Sequence, residues 1–238
     1  MKRAFSAIAL LIVVAGCSEG PDVSSVPTPT SSPSTTGTPT PSTSPSREVF
    51  KASVSVIDVA TRSRMTSSWR SGCPVPLEEL RILRLRHWGF DGRAHAGELV
   101  VHEDHAEDVL GVFEALFDAR FPIRRMVLVD VYGGDDDRSM AANNTSAFNC
   151  RRSASGSGDW SQHAFGNAVD INPIQNPYVS GGNIEPPAGE RYADRSLRAA
   201  GMMHANDVVV RAFARIGWEW GGDWTSSKDY QHFSSNGR

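Results

Sequence analysis

Two short motifs, at residues 161–171 and 229–233, place histidine and aspartate in or beside short predicted strands. In the first motif Gly166 supplies a turn, and residues 168–171 (Ala-Val-Asp-Ile) predict a short buried strand. Side chains alternate along a strand, so Asp170 shares a face with the small alanine at 168 while its two neighbours point into the core. An aspartate on an apolar strand needs a compensating partner, and the alanine beside it leaves room for a metal ion.

The residue types in the two motifs are those that bind zinc. His163, Asp170 and His232 are three ligand types that Zn²⁺ accepts, which leaves a fourth position for water. Asp229 lies three residues before His232 and is close enough to take a proton from that water. The second motif predicts a strand edge, whose period of two places Tyr230 on the side of His232 as a wall of the site. Spacing alone also fits surface residues or hydrogen-bonded core residues.

The pattern Ser-x-His-x-x-Gly-x-Ala-x-Asp from Ser161, followed by Asp-x-x-His from Asp229, resembles the zinc peptidases of the VanY type. That family includes D-alanyl-D-alanine carboxypeptidases and L-alanyl-D-glutamate endopeptidases that act on bacterial peptidoglycan. The resemblance covers roughly residues 73–233. It implies Asp229 as the catalytic general base and a Zn²⁺ cofactor with three ligands, His163, Asp170 and His232.

One departure from the family bears on which bond is cut. Carboxypeptidase members generally have glutamate at the base position, often as Glu-x-Trp-His. Here the base position holds Asp229, and Gln231 precedes the last ligand. This is closer to the Asp-x-x-His of the L-alanyl-D-glutamate branch, so it favours an endopeptidase and leaves a carboxypeptidase open.

The resemblance also implies an arginine upstream of the first ligand that contacts the substrate. Arg151 is the candidate, with Arg152 and Arg138 as rivals. Peptidoglycan stems carry carboxylates, and arginine offers them a planar, bidentate partner. Ser161 is predicted as a second substrate-binding residue, and a surface arginine in a loop is the alternative for Arg151.

The N-terminal residues predict export and anchoring. Residues 1–16 form a predicted signal peptide, because two basic residues precede an apolar run that is too short to span a membrane. The run closes on Val-Ala-Gly-Cys17, which resembles a bacterial lipobox, so Cys17 is the predicted lipidation site. An ordinary cleaved signal peptide with a coincidental cysteine is the alternative. The predicted location is the outer face of the cytoplasmic membrane, with the lipoprotein extending into the cell wall.

The rest of the chain divides into two regions of different composition. Residues 17–47 comprise Cys17 and a tract of Ser, Thr and Pro that cannot bury enough apolar surface to fold, which predicts a disordered tether. Residues 48–238 are long enough for one catalytic domain with its own core. The net charge is −3 and no basic stripe is present, so nucleic acid is not an expected partner. The expected partners are peptidoglycan stem peptides and, through the lipid, the membrane; the domain is expected to be a monomer.

The other two cysteines fit an exported protein. If Cys17 carries lipid, Cys73 and Cys150 are left as a possible disulfide in an oxidising compartment. Two buried free thiols are the alternative.

The expected fold is α+β, a small antiparallel sheet with helices packed on one side, Hedgehog/DD-peptidase-like, in a single catalytic domain. Apolar periodicity predicts helices over 76–88, 104–120 and 206–216, and strands over 97–102 and 124–132. The acidic run 135–137 is predicted as a solvated loop, and His102 to His105 as the polar start of a helix. Three tryptophans are equally consistent with the wall of a groove and with core packing: Trp218, Trp220 and Trp224.

Two non-enzymatic alternatives accompany the peptidase hypothesis. Hedgehog-type signalling domains resemble this fold and ligand set, so a zinc module with a binding role is conceivable; a wall-binding lipoprotein with a vestigial motif is the other. The intact Asp229 favours an enzyme.

Overall fold

The computed structural model describes residues 48–153 and 158–238. The predicted signal peptide (1–16), the lipidation site Cys17 and the tether (17–47) lie outside the described residues. The described chain has an α+β fold, as predicted. Four α-helices are described: α1 (Val59–Arg64), α2 (Ala106–Asp118), α3 (Asp136–Ala141) and α4 (Val208–Arg215). None of the helices in these two ranges has the length and apolar character needed to cross a bilayer.

The strands are short and mostly antiparallel. In chain order they are β1 (Ala52–Val56), β2 (Leu80–Trp88), β3 (Ala94–His102), β4 (Arg125–Met126), β5 (Asn144–Thr145), β6 (Ala168–Asp170), β7 (Tyr178–Ser180), β8 (Asn183–Glu185), β9 (Glu219–Trp220), β10 (Lys228–Asp229) and β11 (His232–Ser234). They form three antiparallel three-stranded sheets, ordered β1–β2–β3, β10–β7–β8 and β6–β11–β9, and a parallel pair β4–β5. The prediction of small antiparallel sheet is confirmed, with three small sheets in place of one.

The predicted helix over 76–88 is wrong. A 3₁₀ turn at Leu77–Glu79 leads into β2, which pairs with β3 along its whole length. Leucines three residues apart suggested a helix, but residues 83–87 also alternate between buried side chains and arginine, the period of a strand. The tight turn between β2 and β3, closed by the Gly89 N–H donating to the Arg93 carbonyl at 2.7 Å, allows this hairpin ladder to form. The predicted strand over 97–102 is confirmed as part of β3.

The two amphipathic helices are confirmed. Helix α2 buries its apolar stripe, and the predicted polar start at residues 103–105 is a 3₁₀ turn that leads into it. Asp207 caps α4, because its carboxylate accepts from the N–H groups of Val209 and Val210. Both helices contribute to the main core, where Phe213 of α4 stacks on Phe233 of β11 with ring centroids 4.1 Å apart.

The predicted strand over 124–132 is mostly wrong. Only β4 is extended, and residues Val129–Tyr132 form a 3₁₀ turn. The Asp130 carboxylate accepts from the backbone N–H groups of Ser67 and Ser68 at 2.7 and 2.9 Å, and Gly133 ends the turn with a φ of +72°. Leu128 and Val129 are buried without a sheet ladder, whereas Val131 is exposed.

Cys73 and Cys150 are joined by a disulfide. The bond ties the segment before β2 to the chain that leads toward His163, as predicted. Arg70 reinforces the same junction, since its guanidinium donates to the Cys150 carbonyl at 2.8 Å.

Candidate active site

Strand pairing brings the two motifs together. Strands β6 and β11 are antiparallel neighbours, and their register places His232 directly opposite Asp170. Cross-strand partners lie close enough for their side chains to meet. The His232 Nδ1 and an Asp170 carboxylate oxygen are 2.9 Å apart, and both side chains are buried. His232 is thus the compensating partner that the sequence required for Asp170.

His163 reaches the same carboxylate from a 3₁₀ turn, Gln162–Phe165. The Ser161 hydroxyl starts the turn by accepting from the His163 N–H at 3.3 Å, and Gly166 ends it with a φ of +71°. A side chain on Gly166 would collide with the backbone nitrogen of His102, so glycine is required there both for its conformation and for its close approach to β3. The His163 Nε2 lies 3.1 Å from the second oxygen of Asp170.

The charges of the cluster reinforce one another. Burial acts to raise the pKa of Asp170, but the hydrogen bonds and charges of His163 and His232 outweigh it and hold that pKa well below its ordinary value. Burial acts to lower the pKa of His232, but the hydrogen bond and charge of Asp170 raise it to about 9. Without a metal, the histidine and aspartate form a buried ion pair at neutral pH.

The donor set could hold a metal ion, and its ligand types are among those that Zn²⁺ accepts. One ligand atom from each of His163, Asp170 and His232 can be chosen so that all lie within 4.8 Å of one another. The Nε2 of His163 is buried and faces the Asp170 carboxylate at 3.1 Å, while its Nδ1 bonds to the Ala147 carbonyl at 2.6 Å. Metal-binding histidines commonly donate their second ring N–H to such a carbonyl. This is the one group of His, Cys, Asp and Glu with that geometry in the described ranges.

Asp229 lies on the same cleft as His232, and a turn explains how. The predicted continuous strand over 229–233 is wrong: β10 ends at Asp229, and a turn at Tyr230 and Gln231 precedes β11. In one continuous strand, side chains three residues apart point to opposite faces. The turn removes that restriction, so Asp229 and His232 both line the cleft.

The environment of Asp229 suits a general base. Its Oδ1 is buried without a hydrogen-bond partner, and burial raises the pKa of this carboxyl to about 7. A side chain on Gly221 would meet the Asp229 backbone oxygen at 2.6 Å, so this glycine lets the chain pack directly against the aspartate. A base is most effective when its pKa lies near the working pH.

The four motif residues open onto a cleft of about 1100 Å³. One wall comes from β7, β8 and the chain before β10, and includes Tyr178, Glu185 and Ser227. The lining also includes Arg151 and Trp160. A cleft of this size accommodates a peptide segment.

Of the three candidate arginines, Arg151 faces the cleft. Arg152 instead lies over the Trp160 ring, with its guanidinium carbon 3.8 Å from the ring centre, and Arg138 is mostly exposed beside Asp135 of its own helix. The Arg151 guanidinium pairs with Asp136 at 2.7 Å, and its buried Nε has no hydrogen-bond partner. Ser161 also lines the cleft, in addition to its role as the cap of the His163 turn.

The prediction that residues 135–137 form a solvated loop is wrong. Asp135 caps α3 by accepting from the Arg138 N–H, and Asp136 begins the helix. The Asp136 side chain is one-quarter exposed and lies against Arg151; burial raises its pKa, which the arginine counteracts. Asp136 is a charged cleft residue that sequence reasoning missed. An acidic residue in the first turn of a helix was the available signal.

The prediction that Tyr230 forms a wall of the site is wrong, and the three tryptophans divide between the core and the cleft. Tyr230 does not line the cleft: its ring packs near Trp220 and beneath the Arg195 guanidinium, because the turn before β11 redirects it. Trp218 and Trp220 are buried in the main core. Trp224 lines the cleft, with its ring centroid 5.7 Å from that of His232.

Comparison with known proteins relates the sequence around this site to a protein family. Residues 155–235 match the family model described as D-alanyl-D-alanine carboxypeptidase. No curated protein and no solved structure gives a significant match. The matched segment contains both motifs, and it confirms the resemblance to VanY-type peptidases that those motifs indicated.

Proposed function

We propose that this protein is a zinc-dependent peptidase that hydrolyses the peptide stems of bacterial peptidoglycan. The observation that carries the proposal is the convergence of His163, Asp170 and His232, with ligand atoms within 4.8 Å, beside the buried Asp229 on one open cleft. The family match supports the peptidase activity and the peptidoglycan substrate.

The metal ligands, Asp229 and Arg151 each have a task in this reaction. His163, Asp170 and His232 would hold Zn²⁺, which would supply a Lewis acid for the scissile carbonyl and make water more acidic. Asp229, whose pKa is about 7, accepts the proton of the attacking water and passes it to the leaving amine. Arg151, held by Asp136 at 2.7 Å, orients a carboxylate of the stem peptide.

Two stem bonds are supported by different observations. Asp229 at the base position and Gln231 before the last ligand favour the bond between L-alanine and D-glutamate. The description of the matching family model favours the terminal D-alanyl-D-alanine bond. In both reactions the same ligands and base act on an amide beside a carboxylate-bearing residue.

The proposed location is the outer face of the cytoplasmic membrane. Lipid on Cys17 would hold the protein there, and residues 17–47 would let the catalytic domain reach into the wall. The Cys73–Cys150 disulfide supports an exported protein, because such bonds persist in oxidising compartments.

The test is mass spectrometry of purified muropeptides incubated with the protein, with and without a zinc chelator. Loss of a terminal alanine assigns carboxypeptidase activity, and a cut between L-alanine and D-glutamate assigns the endopeptidase. Asp229→Asn is the matched control, since it keeps the ligands and removes the base. If neither intact nor cross-linked stems give a chelator-sensitive product, the proposal is wrong and a non-catalytic zinc-containing wall-binding module is the better description.

A further inference from the structure

The segment Asn236–Arg238, which follows β11, returns to the candidate zinc site. Its residues line the cleft beside His232. The Arg238 carbonyl oxygen accepts a hydrogen bond from the His232 Nε2 at 3.0 Å. This contact lies outside both sequence motifs.

Two hydrogen bonds and the backbone conformation of Gly237 order the segment. The Trp224 indole N–H donates to the Gly237 carbonyl at 2.8 Å, and the Arg238 N–H donates to the Asn236 side-chain oxygen at 3.2 Å. Gly237 has a φ of +74°, a conformation that glycine adopts without strain. The Arg238 carbonyl is therefore fixed by backbone and tryptophan contacts, and its own side chain is exposed.

The contact has a chemical consequence for His232. A neutral imidazole carries one N–H, and a carbonyl oxygen can only accept a hydrogen bond. When His232 becomes neutral to bind metal, an N–H kept on Nε2 by the Arg238 carbonyl leaves the lone pair on Nδ1, the nitrogen that lies beside Asp170. His163 shows the complementary arrangement, because its Nδ1 bonds to the Ala147 carbonyl and its Nε2 faces the cluster.

We propose that the Arg238 main-chain carbonyl is a positioning group that keeps His232 in the tautomer and orientation needed to bind metal through Nδ1. The proposal rests on the zinc site of the proposed function and adds a residue to it. Removing a partner that orients a metal-binding histidine typically weakens metal affinity by about 10–100-fold.

The test compares zinc affinity, measured by competition with a chromophoric chelator, between a chain that ends at Arg238 and one that ends at Gly237. Arg238→Ala is the matched control because it keeps the carbonyl and loses only an exposed side chain. We expect about 10–100-fold weaker zinc binding for the chain ending at Gly237. Affinity of Arg238→Ala should be unchanged, and both variants should retain the unfolding midpoint of the metal-free protein.

A second variant tests the same contact without shortening the chain. Trp224→Phe keeps a ring beside His232 and removes the N–H that holds the Gly237 carbonyl. It should also weaken zinc binding, because the segment is released while the three ligands stay intact. Equal zinc affinity for the chains ending at Gly237 and Arg238 overturns the inference while the zinc site itself stands. Absence of zinc binding by the chain ending at Arg238 overturns the zinc site and the inference together.

Discussion

Replacing Asp229 with asparagine should stabilise the metal-free protein while abolishing hydrolysis. The Asp229 carboxyl is buried, one of its oxygens has no hydrogen-bond partner, and burial raises its pKa from 3.8 to about 7. A raised pKa means that the folded state disfavours the charged form relative to the unfolded state. Asparagine has nearly the same shape and carries no charge, so it removes that penalty.

The magnitude follows from the pKa. Each pKa unit corresponds to about 1.4 kcal/mol, so a rise from 3.8 to about 7 costs the folded protein on the order of 4 kcal/mol once the carboxyl is ionised. The wild type is fully protonated at this position below pH 3.8, loses stability as the pH rises toward 7, and carries the full penalty above it. The gain from Asp229→Asn should be absent near pH 3.5 and reach at most about 4 kcal/mol at pH 8.

Thermal unfolding of chelator-treated protein, followed by circular dichroism, measures this gain. In a chain of this size each kcal/mol shifts the midpoint by about 2–4 °C. Asp223→Asn is the matched control, because Asp223 lies on the same approach to β10 and is exposed. A stability difference that is the same at pH 3.5 and pH 8 would refute the reasoning, since it would mean that ionisation of Asp229 is not the source of the penalty. The same variant should bind zinc and release no muropeptide product.

Three further predictions concern the frame of the site. Gly166→Ala should weaken zinc binding at least about 10-fold and destabilise the fold by about 1–3 kcal/mol. The reason is that the φ of +71° at Gly166 and its close approach to the His102 nitrogen exclude a side chain. Unchanged zinc affinity in chelator competition would contradict this prediction. Replacing both Cys73 and Cys150 with serine should lower the free energy of unfolding by roughly 4 kcal/mol, given their separation of 77 residues, as denaturant titration can measure. Zinc binding at pH 7 should release about one proton and tighten as the pH rises toward 9, because the pKa of metal-free His232 is about 9 and the ligand must be neutral. Calorimetry in buffers of different ionisation enthalpy counts the proton, and binding without proton release would exclude a charged His232.

The local pattern of apolar residues was sufficient to predict part of the fold. The apolar stripes of α2 and α4 were predicted from a period near 3.6, and β6 from a short buried run after Gly166. The same kind of evidence failed for residues 76–88, whose leucines satisfy both a helical and a strand period. Strand pairing decided between them, because all nine residues of β2 pair with β3 and five of them also pair with β1 on the other edge.

The sequence by itself determined which residues could hold a metal and act as a base, since those properties belong to the side chains and their spacing. Only the tertiary structure decided how they meet. The β6–β11 register sets Asp170 against His232, and the turn after Asp229 turns its carboxyl toward the same cleft. The tertiary structure also supplies partners that neither motif contains, among them Asp136 for Arg151 and the Arg238 carbonyl for His232. These contacts depend on backbone pairing, on chain reversal and on groups far apart in the sequence, which the spacing within the two motifs does not specify.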